Sequence, residues 1–324
     1  MKVVWASLIL MTSAIFLLAL MLGNQPVPLT DVLAALRGEA LPAPQMIVTG
    51  LRLPRAVMAT LVGAALGTAG AVCQAVMRNP LAEPGLLGIN AGAALAAVLV
   101  IVQIRALPES LLPWLTFAGA LGMAVAIYLL SWRDGASSMR IILIGVGLSA
   151  MAGAAASFIS TFGDAAAVQR AMIWLAGSLQ DSRWERVQML AIWALPGLLA
   201  AWLLARELDL IAFGDTVAQG LGQRVDTVRG LAVLICALLS GAAVAAAGLI
   251  AFVGLAAPHI ARRLVGHPHR RLIPASALIG ALLVLSADLA ARRIMPPIQL
   301  PVGLFTALLG APFFGYLLWR RRHD

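Results

Sequence analysis

Long stretches of this chain carry no charge at all. Its Asp, Glu, Lys and Arg residues are gathered into short groups, separated by uncharged runs of about 16 to 32 residues. An apolar run of about 18 residues is long enough to cross a bilayer as a helix. The chain therefore cannot fold as a water-soluble globule; it must enter a membrane many times. Composition agrees, with 61% of the 324 residues hydrophobic and 11% charged, against roughly 45–50% and about 25% in soluble domains.

Read by charge spacing, the apolar segments are 3–22, 56–77, 84–104, 110–132, 141–163, 187–205, 230–261, 272–287 and 298–319. The first follows Lys2 as a signal peptide would, but its core of about 20 residues exceeds the usual 7–15 and no small-residue cleavage site follows. An uncleaved first span is expected. Segment 230–261 has 32 residues and as one helix would measure about 48 Å, against a hydrocarbon core of about 30 Å. Gly241, Gly248, Gly254 and Pro258 offer places to break it. Two crossings joined by a tight turn near 245–248 are expected, which makes ten in all and leaves both termini in the cytoplasm. Counting Lys and Arg does not discriminate, because one or two crossings there both give 14 inside and 9 outside.

Residues 63–70 and 241–248, in the second and seventh spans, agree at five of eight positions. A shift of five spans inverts the repeat in the membrane, as in transporters that alternate access about a central pathway. Small residues also recur in any helix-packed membrane protein.

Several functions are excluded by what the chain lacks. Lys2 is its only lysine, against 22 arginines, so it carries no P-loop, whose Lys must sit beside the phosphates. ATP, if used, is hydrolysed by a partner. The net charge of +9 comes from Arg in loops without interleaved aromatics, which fits membrane anchoring rather than nucleic-acid binding. Cys73 and Cys236 lie inside apolar runs, where they form no metal or disulfide pattern. His259, His267, His269 and His323 fall in or beside basic loops that repel a cation, so no metal site and no cofactor is expected. None of the 14 Asp and Glu residues falls mid-span, with Asp288 and Glu83 read at span ends. That disfavours an ion-coupled secondary transporter, which keeps ionisable relays within its spans. A membrane enzyme would need a cluster of catalytic groups, and none is present.

The segments between spans hold the remaining candidates. Arg52 and Arg55, and Arg292 near the last loop, face outward on the ten-span topology, against the usual sign preference. They snorkel to headgroups, or they dock a binding protein through its carboxylates. Residues 78–88 contain Pro80 and Pro84 and so form an irregular segment, tolerable near a membrane only against protein or a cavity. Residues 206–229 are mixed in charge and broken by Gly214, Gly220 and Gly222. Asp215 is a candidate N-cap, and Gly222 a C-cap, for a short helix holding Val217, Ala218 and Leu221. Such a helix suits docking into a groove of another protein, or resting on headgroups.

Taken in order, these words form a signature. R-x-P-R at 52–55, G-A-A-L-x-x-x-G at 63–70, and R-N-P-L-A-E-P-G-x-L-G at 78–88 are followed by Phe252-Val253-Gly254-Leu255, Pro258-His259, Ala287-Asp288, Leu300-Pro301-Val302-Gly303 and Gly310-Ala311-Pro312-Phe313-Phe314. The run resembles the membrane permeases of ABC importers for iron chelates and vitamin B12, the FecCD-type permease family. Residues 171–179 and 291–301 look more like its ferric-citrate and ferric-siderophore members than its vitamin B12 or haem ones.

The resemblance implies an all-α polytopic fold of about ten transmembrane helices with an inverted internal repeat, as in type II ABC importers. It implies a single permease domain over 1–324 in a bacterial inner membrane. The partners it implies are two ABC ATPase subunits, a second permease copy or relative, and a periplasmic substrate-binding protein. The pattern L-x-L-x-x-x-G-D-x-x-A-x-x-L-G at 208–222 matches the family's coupling region, which assigns ATPase coupling to Gly214, Asp215, Ala218, Leu221 and Gly222. Asn79, Leu81, Ser137, Ser138 and Met139 take the positions of the cytoplasmic gate, with Met139 where the family carries a small polar residue. Arg52, Arg55 and Arg292 remain the candidates for docking the binding protein.

Overall fold

The computed structural model describes residues 1–104, 107–132, 137–295 and 298–320. The chain begins with α1 (Lys2–Met21) and two short helices, α2 (Leu29–Arg37) and α3 (Pro42–Gln45). A π-helical turn (Met46–Arg52) leads into α4 (Leu53–Val76), and a 3-10 turn (Pro84–Leu87) into α5 (Ile89–Val98), which runs on as a π-helical turn to Gln103. Next come α6 (Leu112–Ser131), α7 (Ser138–Thr161), α8 (Ala165–Leu175) and α9 (Trp184–Leu203). The short α10 (Ala205–Ile211) and α11 (Asp215–Gly220) precede α12 (Val225–Ala247), α13 (Val253–Val265), α14 (His269–Arg293) and α15 (Val302–Arg320).

Among the described residues, seven helices are long and apolar enough to cross a membrane: α1, the continuous helix over 42–76, α6, α7, α9, α12 and α14. Two shorter apolar helices, over 89–103 and 302–312, join them; α13, preceded by a non-helical run, is the element that stands where the tenth crossing is expected.

The centre is built on α4 and α12, whose most apolar stretches are 83% and 72% buried, against 17% for α7. Both are apolar all round, as helices enclosed by other helices must be. Lipid is as apolar as leucine, so helices in a bilayer associate by close backbone approach. On α4, Gly63 faces Gly280 of α14 so closely that a Cβ on either would overlap the other's carbonyl, and Gly67 meets Ser276 in the same way.

The five-span shift shows in the packing. The pair α4–α14 is matched by α12–α6, and α4–α13 by α12–α5. Gly63 sits at the first close crossing and Gly241 at its counterpart, where a Cβ would come 3.0 Å from Ala120 Cβ. The correspondence stops at the last positions, because Gly70 lies within α4 while Gly248 ends α12.

The break after α12 is not the tight turn expected near 245–248. Gly248 turns the chain at φ 71° and ψ −165°, residues 249–252 run on without helix, and α13 starts only at Val253. Thirteen helical residues span only about 20 Å, so a crossing here would need the non-helical run as well. Such backbone is tolerated at membrane depth only when protein surrounds it. Here the Ser178 amide donates to Ala247 O at 2.8 Å, and the neighbouring Gly303 amide donates to Gly177 O at 3.1 Å.

Candidate functional site

One end of α4 gathers most of the residues that the sequence marks. The helix closes with Arg78 in the left-handed region, φ 48°, and the Asn79 amide reaches back to Gln74 O at 3.1 Å. This is a Schellman-type closure with arginine in the place where glycine is usual. Asn79 then folds its own turn, its side-chain oxygen accepting from the Leu81 amide at 2.9 Å. From the start of α7, Ser138 Oγ donates to Val76 O at 2.8 Å. The preceding Ser137 caps α7 by accepting from the Arg140 amide at 3.3 Å. Met139 is 66% exposed. Ser138 thus ties the start of α7 to the last turn of α4, which Asn79 and Leu81 follow in the chain; residues 133–136 of the loop before α7 lie outside the described residues. Burial pushes the Glu83 carboxyl of this segment up.

The stretch 206–229 folds as two helices rather than one short helix in a loop. Gly214, at φ 103°, turns the chain between α10 and α11. Asp215 is therefore the first helical residue, not the cap, and its side chain makes no capping bond. Its carboxylate bonds Arg229 of α12 at 2.8 Å and stands 3.9 Å from Arg78. Arg229 has only 2% of its side chain exposed, so Asp215 supplies the charge that makes its burial tolerable. Gly222, φ 85°, follows the helix and serves the ending expected of it. Ala218 is fully buried, whereas Phe213, Val217 and Leu221 are 71%, 48% and 65% exposed. The expected apolar face is thus split: Ala218 packs inward, and Phe213 joins Val217 and Leu221 outside.

One further contact closes this stretch on itself and another ties it to α14. Gln223 Nε2 donates to Glu207 O at 2.8 Å. Asp209 Oδ1 accepts from both the His269 amide at 3.0 Å and the His269 ring at 2.6 Å. Burial pushes the Asp209 carboxyl up, but these bonds outweigh it and hold the group below its ordinary value. Between the hairpin, the end of α4 and the α13–α14 turn lies an open cavity of about 910 Å³. Its walls include Gln74, Arg78 and Asn79, then Asp209 and Phe213, then His259, Arg262, Arg263, His267 and His269. Among the described residues, no group of three or more His, Cys, Asp and Glu could hold a metal ion.

The profile of the FecCD transport family matches residues 10–320. The chain belongs to the FecCD transport family. It is 42% identical to the Fe(3+) dicitrate transport system permease protein FecD of Escherichia coli K12, over 94% of this chain and 95% of that one. It is 38% identical to the iron(3+)-hydroxamate import system permease protein FhuG of Bacillus subtilis 168, over 98% and 97%. The fold superimposes with a TM-score of 0.90 on a structure described as an inward-facing metal-chelate type ABC transporter, at 29% identity over 98% of this chain and 99% of that one. As a FecCD member the chain is a transport permease subunit with several apolar spans.

The three arginines expected to face outward in this FecCD permease do not form an exposed docking surface. Arg52, Arg55 and Arg292 are 8%, 8% and 7% exposed. Arg52 donates to Leu20 O and Met21 O at the end of α1, at 2.8 Å each, and to Gln25 O of the turn that follows, adding to the one amide bond, from Val27 at 2.9 Å, that Met21 O accepts. Arg55 holds Asp288 at 2.8 Å and Gln299 Oε1 at 2.6 Å, while Arg292 Nε meets the other Asp288 oxygen at 3.1 Å. Asp288 itself lies five residues inside α14 rather than at its end, 2% exposed. The reason is tertiary: the end of α1 offers carbonyl oxygens, and α14 offers a carboxylate 233 residues away. Sequence reading missed Arg78 and Arg229 as partners of Asp215. The only local hint was a lone Arg229 opening the longest uncharged run.

Proposed function

We propose that this chain is the membrane subunit of an ATP-driven importer for an iron(III) chelate of the siderophore or citrate kind. In this reading 1–324 is one permease domain of a bacterial inner membrane with both termini cytoplasmic. It pairs with a second permease, receives its ligand from a periplasmic binding protein, and is driven by two ATPase subunits. The iron chelate is cargo, carried intact.

The observation that supports the drive mechanism is the Arg78–Asp215–Arg229 cluster. Asp215 opens α11, whose neighbours Phe213, Val217 and Leu221 present an apolar face to a partner. The same carboxylate stands next to Arg78, which immediately precedes Asn79 and Leu81. A displacement of α11 by the ATPase is therefore felt at the end of α4, where Ser138 ties α7 to Val76. Nucleotide binding and hydrolysis bias the inward and outward populations through these contacts, and the chain itself supplies no chemistry.

The test is uptake of radiolabelled ferric citrate and ferric hydroxamate by proteoliposomes holding the permease, its ATPase and its binding protein. ATP-dependent accumulation that requires all three components is expected. Accumulation driven by an ion gradient without the ATPase would refute the reading.

A further inference from the structure

We infer that Phe252 is a positioning residue for transport: its ring, seated on Gly310, wedges α15 away from α13 and α14, and α15 moves into the space between them as the cycle turns. This rests on the ATP-driven reading above. Among the described residues, Arg78 and Phe252 are the two other than glycine that hold a positive φ. A bulky side chain rarely adopts that backbone, and where it does the surroundings impose it. Phe252 has φ 66° and ψ −15° at the start of α13. Its carbonyl accepts the Ala256 amide at 2.8 Å, which closes the first turn of α13, and its side chain meets α15 at Gly310. A Cβ on Gly310 would stand 2.3 Å from both Cβ and Cγ of Phe252, so the ring is seated where only glycine leaves room.

Beside this contact lies an apolar cavity of about 410 Å³ between α13, α14 and α15, walled by Phe252, Ala256 and Ile260, by Leu283, and by Phe305 and Leu309. Protein interiors pack closely, with few voids larger than a water molecule, so a space of this size marks a helix held off its neighbours. That helix is α15. It packs on α14 and only lightly on α13, whereas α13 and α14 pack extensively on each other and on α4. Its head is pinned. Arg55 Nη1 donates to Gln299 Oε1 at 2.6 Å just ahead of it, and the Gly303 amide donates to Gly177 O at 3.1 Å. A Cβ at Gly303 would overlap the carbonyl oxygens of Ala176 and Leu249, each at 2.3 Å, so three backbones clasp the first turn. Seven residues further on, the ring of Phe252 stands between α15 and the start of α13. A helix fixed at one end, with empty space along its inner side, can swing about that end, and Phe252 sets how far out it rests.

The experiment uses the complete importer in nanodiscs, with Cys73→Ala/Cys236→Ala removing the native thiols and spin labels at Leu264→Cys on α13 and Gly315→Cys on α15. Leu264 is 41% exposed, and a Cβ at Gly315 meets nothing within 4 Å, so neither label displaces a packed side chain. The labelled chain is diluted into unlabelled permease, and pulsed electron paramagnetic resonance reads the distance within one chain, without nucleotide and with a non-hydrolysable ATP analogue. One distance is expected without nucleotide, and a second, shorter one with the analogue. Phe252→Ala should raise the nucleotide-free share of the shorter distance by about tenfold, the usual size of a conformational bias, with ATP hydrolysis no longer matched by uptake. Phe252→Leu, which keeps a wedge, should stay near the wild type. A single distance unchanged by nucleotide, as a lipid tail lodged in the cavity would enforce, overturns the inference, and this comparison needs no change at Phe252. A Phe252→Ala chain that melts lower but matches the wild type in distances and coupling overturns it too, since a purely structural ring predicts that result. If the unlabelled importer accumulates no chelate with ATP, the ATP-driven reading itself fails.

Discussion

Replacing Asp288 by Asn tests whether the buried arginines hold the bundle together. The carboxylate neutralises Arg55 at 2.8 Å and Arg292 at 3.1 Å, and all three side chains are at most 10% exposed. Removing one partner of a buried ion pair costs about 3–5 kcal/mol, because the other charge is left without compensation. Asp288→Asn strands two guanidinium groups, so it belongs at the top of that range. Arg55→Met leaves Asp288 still paired with Arg292 and belongs at the bottom. With the usual unfolding entropy per residue, such a loss lowers the melting temperature of a chain this long by roughly 4–7 °C. Thermal unfolding of purified permease in detergent reads the shift, and titration with the binding protein reads docking separately. The triple variant Arg55→Met/Asp288→Leu/Arg292→Leu should recover most of the stability, since apolar replacement of a whole buried ion cluster is often neutral. The reasoning fails if Asp288→Asn melts with the wild type, or if Arg55→Met abolishes binding-protein affinity at unchanged stability.

Three other outcomes follow from the same geometry. Leu221→Asp should abolish ATPase association while leaving the fold intact, whereas Ala218→Asp should destabilise the permease itself, because Ala218 is fully buried and would carry an unpaired charge inward; co-purification and melting separate the two. Ser138→Ala removes the bond to Val76 O, costing about 1 kcal/mol, and should raise ATPase turnover that is not matched by uptake. Because its folded state binds protons less readily than the unfolded chain, Asp209 contributes stability that is present above the ordinary carboxylate pKa and is lost as pH falls through its lowered value; Asp209→Asn should flatten the acid limb of a melting-temperature profile, and an unaltered limb would contradict the assignment.

The spacing of uncharged runs determined that this chain enters a bilayer many times, and its single lysine excluded a P-loop of its own. These are one-dimensional properties: a span needs a length of apolar residues, and a P-loop needs a lysine at a fixed place. The irregular segment over 78–88 was legible for a like reason, since Pro80 and Pro84 each remove a backbone donor. What the sequence could not supply was the direction in which each charged side chain turns. Arg52, Arg55 and Arg292 read as outward cations, but burial is settled by what other spans bring to the same depth. The carbonyls of α1 and the carboxylate of Asp288 arrive there only once α1, α4 and α14 are packed. Ala218 and Leu221 likewise sit three residues apart, one within a short helix and one at its C-terminal cap, and only the surfaces of α10 and α12 decide which turns inward. Asp215 looked like a cap because its neighbours are local. Its actual partners, Arg229 and Arg78, stand 14 and 137 residues away, and buried charges choose partners by distance in space.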